Sequence, residues 1–333
     1  MSRRGTIAIL TGGGDVPGLN PAIRAVTLRA VKEGYRVLGI RRGWGGLVDL
    51  VPEADADNSA AILELTGNVV RTAGRTGGTF LHSSRTRPSH LPREYLPALM
   101  RDSYHDDIND VTPHVLKNLD FLGVDTLVAI GGDDTLSYAH RLHSEGAKVI
   151  AIPKTMDNDV PGTDYCIGFS TCVTRTIELT HKLRTSAGSH ERILVIEVFG
   201  RYAGYTALVP AMAGAADRCV IPEHPFDIEH LTSLLVEDRA NNPSRYSVVL
   251  VSEGATMTDQ EDMIFSGDAA DQYGHKKLGG IGDRVAAAIR DISPKFNAGR
   301  HINTTSQRLG YLVRSGDPDA LDSIVPMAFG NLA

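Results

Sequence analysis

Along the chain, a short unbroken apolar run, a glycine-rich turn and a stretch with helical spacing recur in that order. Ile7–Leu10 contains no polar position, as a strand covered on both faces requires. Thr11–Asn20 is the turn after it. Asn20 is placed to cap a helix and Pro21 to fill its first position, where the missing N–H costs nothing. Ile23, Val26, Ala30 and Val31 give that helix one apolar face, Gly34 ends it, and Arg36–Ile40 is the next strand. The unit repeats as strand Thr126–Ile130, turn Gly131–Thr135, helix Leu136–Ser144 and strand Val149–Ile152. Ile193–Val198 leads through Phe199–Gly204 into an alanine-rich helix, and Ser247–Val251 is a strand ending in Ser252-Glu253-Gly254. Strands alternating with helices predict an α/β fold with mainly parallel sheets covered on both faces. Active residues then belong at the carboxyl ends of the strands. Pro52–Asn58 and Met257–Lys277 are the least regular stretches and read as surface loops.

The composition narrows the class. At 333 residues, 42% hydrophobic and 22% charged, the chain is an ordinary globular protein long enough for two domains. Its net charge of −6 attracts neither nucleic acid nor an anionic membrane, so any anion site must be local. Cys166, Cys172 and Cys219 fit neither a zinc spacing nor a disulfide framework, which points to a reducing cytoplasm. The apolar start is too short for a signal peptide, and no run reaches transmembrane length.

Three turns carry candidate chemistry. Thr11–Asn20 follows a strand and opens a helix, where free N–H groups and the positive helix end favour an anion. Pro17 breaks a dinucleotide fingerprint and Leu19-Asn20 breaks a Walker loop, so no ligand is specified; an empty glycine turn explains it equally well. At Gly131–Thr135 two glycines precede Asp133 and Asp134. One aspartate reads as a helix cap, but two beside a phosphate site suit Mg²⁺, which takes one or two carboxylates plus phosphate oxygens. Pro153–Asp159 packs Lys154, Thr155, Asp157 and Asp159 just after a strand. Like carboxylates repel, so this crowding argues for chemistry, with a general base among them, over a plain polar turn around Asn158. Arg71, Arg75, Arg85, Arg87, Arg192, Arg201 and Arg314 lie near glycines or strand ends, where arginine captures phosphate in bidentate fashion. His181, His190 and His224 lack metal-ligand spacing and read as structural.

In order, LTGGGDVPGLN, RTGGTFLHSSR, IGGDDT, PKTMDND, GTDYCIGFSTCV, SHERILVIEVFGRYAG, VIPE and LGYLVRSG span Leu10 to Gly316. This series resembles the phosphofructokinase family. The resemblance implies two doubly wound, mainly parallel α/β domains with the active site in the cleft between them. It places a phosphoryl-donor domain at 1–168 plus 313–333 and a sugar-phosphate domain at 169–312. It implies Mg²⁺-dependent phosphorylation of the 1-hydroxyl of fructose 6-phosphate. Carried over by motif, Gly13 and Gly14 line the donor phosphates and Asp133 holds Mg²⁺. Asp157 takes the hydroxyl proton beside Thr155 and Asp159, and Arg85 and Arg201 stabilise the transferring group. Glu223, Arg314 and, from a neighbouring subunit, Arg192 bind the sugar phosphate, so a homo-oligomer, dimer or tetramer, is implied. Phe199 and Gly200 stand in the family's MGR segment.

The donor expectation rests on two positions. ATP-using bacterial members resemble GGDG and PGT where this chain has Asp134 and Lys154, the pattern of the pyrophosphate-dependent branch. A carboxylate at 134 repels a nucleotide's α-phosphate; pyrophosphate, held by Gly13, Gly14, Thr135 and Lys154, ends short of it. Asp134 discriminates more than Lys154. Phe199 replaces the family's usual Met, and Tyr311 replaces the His of bacterial ATP enzymes. Thr305 stands where a second cross-subunit arginine is usual, with Arg308 the nearest substitute. A helix is expected from Asp322 to Ala333, and family members continue beyond it. Competing readings are an ATP-dependent enzyme, a lipid or NAD kinase, whose turn resembles GGDDT but which leaves PKTMDND unexplained, and a non-catalytic regulatory subunit, which would lack Asp157 or Asp133. Sedoheptulose 7-phosphate is a plausible second acceptor.

Overall fold

The computed structural model of the protein describes residues 4–258, 263–270 and 276–333. Its strands are β1 (Thr6–Thr11), β2 (Arg36–Ile40), β3 (Ile62–Glu64), β4 (Leu91–Pro92), β5 (Ile108–Asn109), β6 (Thr126–Gly131) and β7 (Val149–Pro153), then β8 (Ile193–Val198), β9 (Arg218–Val220), β10 (Ser247–Ser252), β11 (Phe265–Ala270), β12 (Lys276–Leu278) and β13 (Thr304–Arg308). The helices are α1 (Leu19–Lys32), α2 (Gly43–Asp49), α3 (Thr112–Phe121), α4 (Asp133–Ser144), α5 (Phe169–Ser189), α6 (Tyr205–Met212), α7 (Ile228–Asn241), α8 (Ile281–Ile292) and α9 (Ala320–Leu332).

One sheet has the order β3-β2-β1-β6-β7, parallel except for β3, and a second runs β13-β8-β10-β9, parallel throughout. Each has an apolar layer on both faces, so its central strands are mostly apolar, with Glu197 in β8 the charged exception. In β1, Ala8 and Leu10 pack with Trp44, Leu47 and Val115, while Ile9 packs with Leu19, Ile23 and Val26. In the second sheet Val195, Val249 and Val251 meet Leu235, Val285 and Ile289 on one side. Ile196, Val248 and Leu250 meet Cys172 and Ala207 on the other. Each such fully buried side chain contributes roughly 1.5–3 kcal/mol.

The first sheet draws its strands from residues 6–153 and the second from 193–308, after which α9 returns to the first. There Phe329 joins the β1–α1 core, and Gly330 packs so tightly on α1 that a Cβ would lie 2.6 Å from Ala25 Cβ. Both sheets point their carboxyl ends into one cleft, where the candidate residues gather.

Several local expectations are corrected. The helix after the first turn begins at Leu19 behind Gly18, whose φ of 110° suits only glycine, so Asn20 does not cap it. Asn20 instead ties down the loop from Thr76 to Phe80 through four hydrogen bonds. The helix after β6 begins at Asp133, and neither aspartate caps it; both sit in its first turn, where the helix dipole favours negative charge. The final helix starts at Ala320, capped by Asp319, rather than at Asp322. Within Met257–Lys277 the described residues include an antiparallel ribbon of β11 and β12; residues 259–262 and 271–275 lie outside them. Pro52–Asn58 is irregular, as expected.

Candidate active site

The ends of β1, β6 and β7 present the three turns side by side, and β8, β10 and β13 present Phe199, Glu253 and Arg308 opposite. Together they line a cleft of about 730 Å³. It contains Gly13, Gly14, Arg85, Asp133, Asp134, Thr135, Lys154, Thr155, Asp157, Asp159, Phe199, Arg201, Arg308, Tyr311 and Arg314. All were singled out from the sequence. A second cavity of about 940 Å³ meets it along Gly13, Gly14, Arg85, Tyr311 and Arg314.

Glycine is needed where Thr135 inserts between two strand ends. A Cβ at Gly12 or Gly131 would come within 2.5 and 2.4 Å of Thr135 atoms. The buried Thr135 Oγ1 has no hydrogen-bond partner among the described residues. Lys154 is 4% exposed and donates from Nζ to the Gly14 carbonyl at 2.6 Å, so it braces the glycine turn. Burial, then the neighbouring Arg314, push its pKa down to about 8. Arg314 is also buried, lies over the Tyr311 ring and donates to Asp15 Oδ1 at 2.7 Å.

Asp157 stands at the centre. Its Oδ1 is sealed from solvent without a hydrogen-bond partner among the described residues, and its own N–H donates to Thr155 Oγ1 at 3.2 Å. Desolvation, with Asp159 and Glu253 nearby, pushes its carboxyl up to about 7, against the pull of Arg201. The partial burial of Asp133, together with Asp159 and Asp134, raises the Asp133 carboxyl as well. Such a set of carboxylates facing cations and glycine N–H groups fits a divalent ion beside phosphate. Among the described residues no group of three His, Cys, Asp or Glu side chains is placed to hold a metal ion.

Of four further expected site residues, three lie outside the lining of this cleft and one within it. Glu223 accepts from the Gly204 N–H at the start of α6 and does not line the cleft. Arg192 precedes β8, at the opposite end of that strand from Phe199, and donates to Thr305 Oγ1 at 3.2 Å. Gly200 lies beneath the cleft with φ 120°, outside its lining. Arg308 faces this chain's own cleft, held by Glu197 at 2.6 Å. Of the arginines between Val70 and His90, Arg71, Arg75 and Arg87 line neither cavity.

Sequence reasoning missed Glu253 and Glu197. Glu253 lines the cleft, its carboxyl pushed up to about 7 by burial against the pull of Arg201. Its position directly after β10 was the available signal. Glu197 is buried mid-strand and accepts from the Gly280 and Gly282 N–H groups as well as Arg308. The lone carboxylate in the otherwise apolar run Ile193–Val198 was its signal, since a buried Glu needs partners.

Residues 6–333 match the family described as Phosphofructokinase. The chain belongs to the phosphofructokinase family. A pyrophosphate–fructose 6-phosphate 1-phosphotransferase of Streptomyces coelicolor is 39% identical over 97% of this chain and 84% of its own length. An ATP-dependent 6-phosphofructokinase 3 of the same organism is 36% identical over 97% of this chain and 85% of its own. Phosphofructokinases of this similarity therefore carry both donor names. The crystal structure of Pichia pastoris phosphofructokinase in the T-state superposes with a TM-score of 0.76 at 27% identity, covering 100% of this chain and 32% of that longer one. No helix among the described residues is long and apolar enough to cross a membrane.

Proposed function

We propose that this phosphofructokinase transfers a phosphoryl group reversibly from pyrophosphate to the 1-hydroxyl of fructose 6-phosphate, with Mg²⁺. The observation that carries the donor reading is Asp134 in the cleft wall, in the first turn of α4 beside Thr135 and across from Gly13, Gly14 and Lys154. Two like charges about 4 Å apart repel by roughly 4 kcal/mol at an effective dielectric near 20. That is about a thousandfold in affinity, reduced where Mg²⁺ or water intervenes. A nucleotide extends past this point and a two-phosphate donor does not.

In this reading Asp157 accepts the sugar hydroxyl's proton, flanked by Thr155 and Asp159. Arg85 and Arg201 balance charge on the moving phosphoryl. Gly13, Gly14, Thr135 and Lys154 hold the donor, and Asp133 would hold Mg²⁺, which supplies charge neutralisation across the phosphates. Phosphoryl transfer asks little of a protein beyond such positioning and electrostatics. On the sugar side Glu253, rather than Glu223, joins Phe199, Arg308, Tyr311 and Arg314. Arg192 serves a neighbouring subunit's cleft in a cytoplasmic homo-oligomer. The donor part is 1–168 with 313–333 and the sugar part 169–312.

An ATP-dependent 6-phosphofructokinase is the competing reading, favoured by relatives of that name. A matrix of donors (pyrophosphate, ATP) against acceptors (fructose 6-phosphate, sedoheptulose 7-phosphate) with Mg²⁺ separates the two. Turnover with pyrophosphate is expected; turnover with ATP alone ends the proposal.

A further inference from the structure

Asp322, on α9, takes no part in the chemistry above, yet it is 0% exposed. Its Oδ1 accepts from Tyr165 Oη at 2.8 Å and from the Gly168 N–H at 2.7 Å. Its Oδ2 accepts from the Thr171 N–H at 2.8 Å and Thr171 Oγ1 at 2.6 Å. Four donors converge on one carboxylate, which offsets the cost of burying its charge. The groups it holds lie in the segment that leaves the catalytic turn and enters α5.

That segment folds back on the catalytic turn at both ends. The Ile167 N–H donates to the Pro153 carbonyl at 3.1 Å, and Ile167 bridges Lys154 in parallel register. The Cys166 N–H donates to Asn158 Oδ1 at 2.7 Å, and Asn158 Nδ2 donates to the Asp164 carbonyl. Asn158 has φ 55°, a left-handed conformation that a non-glycine residue keeps only when its surroundings impose it. It sits between Asp157 and Asp159. Tyr165 and Gly168, the residues Asp322 grips, flank the two that grip the turn. The backbone shape that aims Asp157 is therefore fixed by residues 164–168, and those in turn by α9.

We propose that Asp322 is a positioning residue which, through Tyr165 and Gly168, holds the Pro153–Asp159 turn in its reactive shape. The inference rests on the phosphoryl-transfer reading for its kinetic test. Small misplacement of a reacting group lowers turnover with little effect on binding, as much as ~100-fold for about 1 Å. Tyr165→Phe removes one donor from Asp322 and keeps the ring that packs edge-on against Phe169. Asp322→Asn turns an acceptor into a donor facing Tyr165, Gly168 or Thr171.

The test compares wild type, Tyr165→Phe, Asp322→Asn and Thr174→Val. Thr174 Oγ1 bonds Asp319 at 2.9 Å, so the last variant loosens the same pair of helices without touching Asp322. In Tyr165→Phe, kcat with the donor that wild type uses should fall roughly tenfold, while both KM values stay within about twofold. Amide exchange at Cys166 and Ile167 should quicken in Tyr165→Phe and Asp322→Asn and stay unchanged in Thr174→Val. Unaltered kcat in Tyr165→Phe, or an equal loss in Thr174→Val, overturns the proposal, as does unaltered exchange in Tyr165→Phe. Should Asp322→Asn not fold, Tyr165→Phe decides. Wild-type protein inactive with every donor sinks the phosphoryl-transfer reading instead, and the exchange measurement alone then decides this one.

Discussion

Asp157 and Lys154 carry opposite shifts that bracket neutral pH. A base must be ionised to accept a proton, and Asp157, raised to about 7, ionises as pH climbs through that value. Lys154, lowered to about 8, loses its charge above it. The free-enzyme kcat/KM should therefore peak between the two, with an acid limb near pH 7 that disappears from the residual activity of Asp157→Asn. That variant should lose about 10²–10⁴ in kcat. Stability should move the other way. A carboxyl raised above its ordinary value of 3.8 stabilises the fold at low pH and loses that contribution as pH rises through about 7. Thermal melts should thus show Asp157→Asn gaining on wild type at pH 8 and not at pH 4. Among individual residues, those in crowded polar turns were legible because the crowding itself needs an explanation. Glu253 is one carboxylate at one strand end, and only the sheet shows what lies across from it. Glu223 was singled out only by the family resemblance, and one of its oxygens accepts from the Gly204 N–H at α6.

At the level of elements, the central strands were legible because burial on both faces makes them nearly continuous apolar runs. The edge strand β13, Thr304–Arg308, was not: its residues are half-buried or exposed and their pattern is polar. Its pairing with β8 nonetheless brings Arg308 opposite Glu197 and into the cleft. Helix starts were misplaced by two or three residues, since glycine with positive φ or the β6 end opens α1 and α4 where side-chain caps were expected. Helix α9 packs on the first glycine turn and its helix: Gly330 lies on α1, and the Asp322 carbonyl would be 3.0 Å from a Cβ at Gly18. Gly330→Val should therefore cost roughly 1–3 kcal/mol through overpacking. Denaturant midpoints check this, with loss of activity at sub-denaturing concentrations preceding loss of helical signal.

Across the whole molecule, two sheets with facing carboxyl ends explain how turns more than a hundred residues apart share one cleft. The α/β alternation was readable from the sequence, whereas the return of 313–333 to the first part was expected only through the family resemblance, because nothing local marks it. Arg192 sits at the far end of β8 from that cleft, which gives the oligomer reading a direct consequence. Arg192→Ala and Asp157→Asn should each be nearly inactive alone. Unfolded together and refolded as a two-fold assembly, they should regain up to about a quarter of wild-type activity, since half the assemblies then hold one intact site. No recovery, with mixed assemblies demonstrated by native mass spectrometry, places Arg192 outside the reaction. The donor is the claim on which the account stands, and it is measured most directly as kcat/KM for pyrophosphate over that for ATP, in wild type and in Asp134→Gly. The wild-type ratio should exceed about 100, and the substitution should lower it at least tenfold by raising ATP use. A wild-type ratio below one, or a ratio unmoved by Asp134→Gly, contradicts the account.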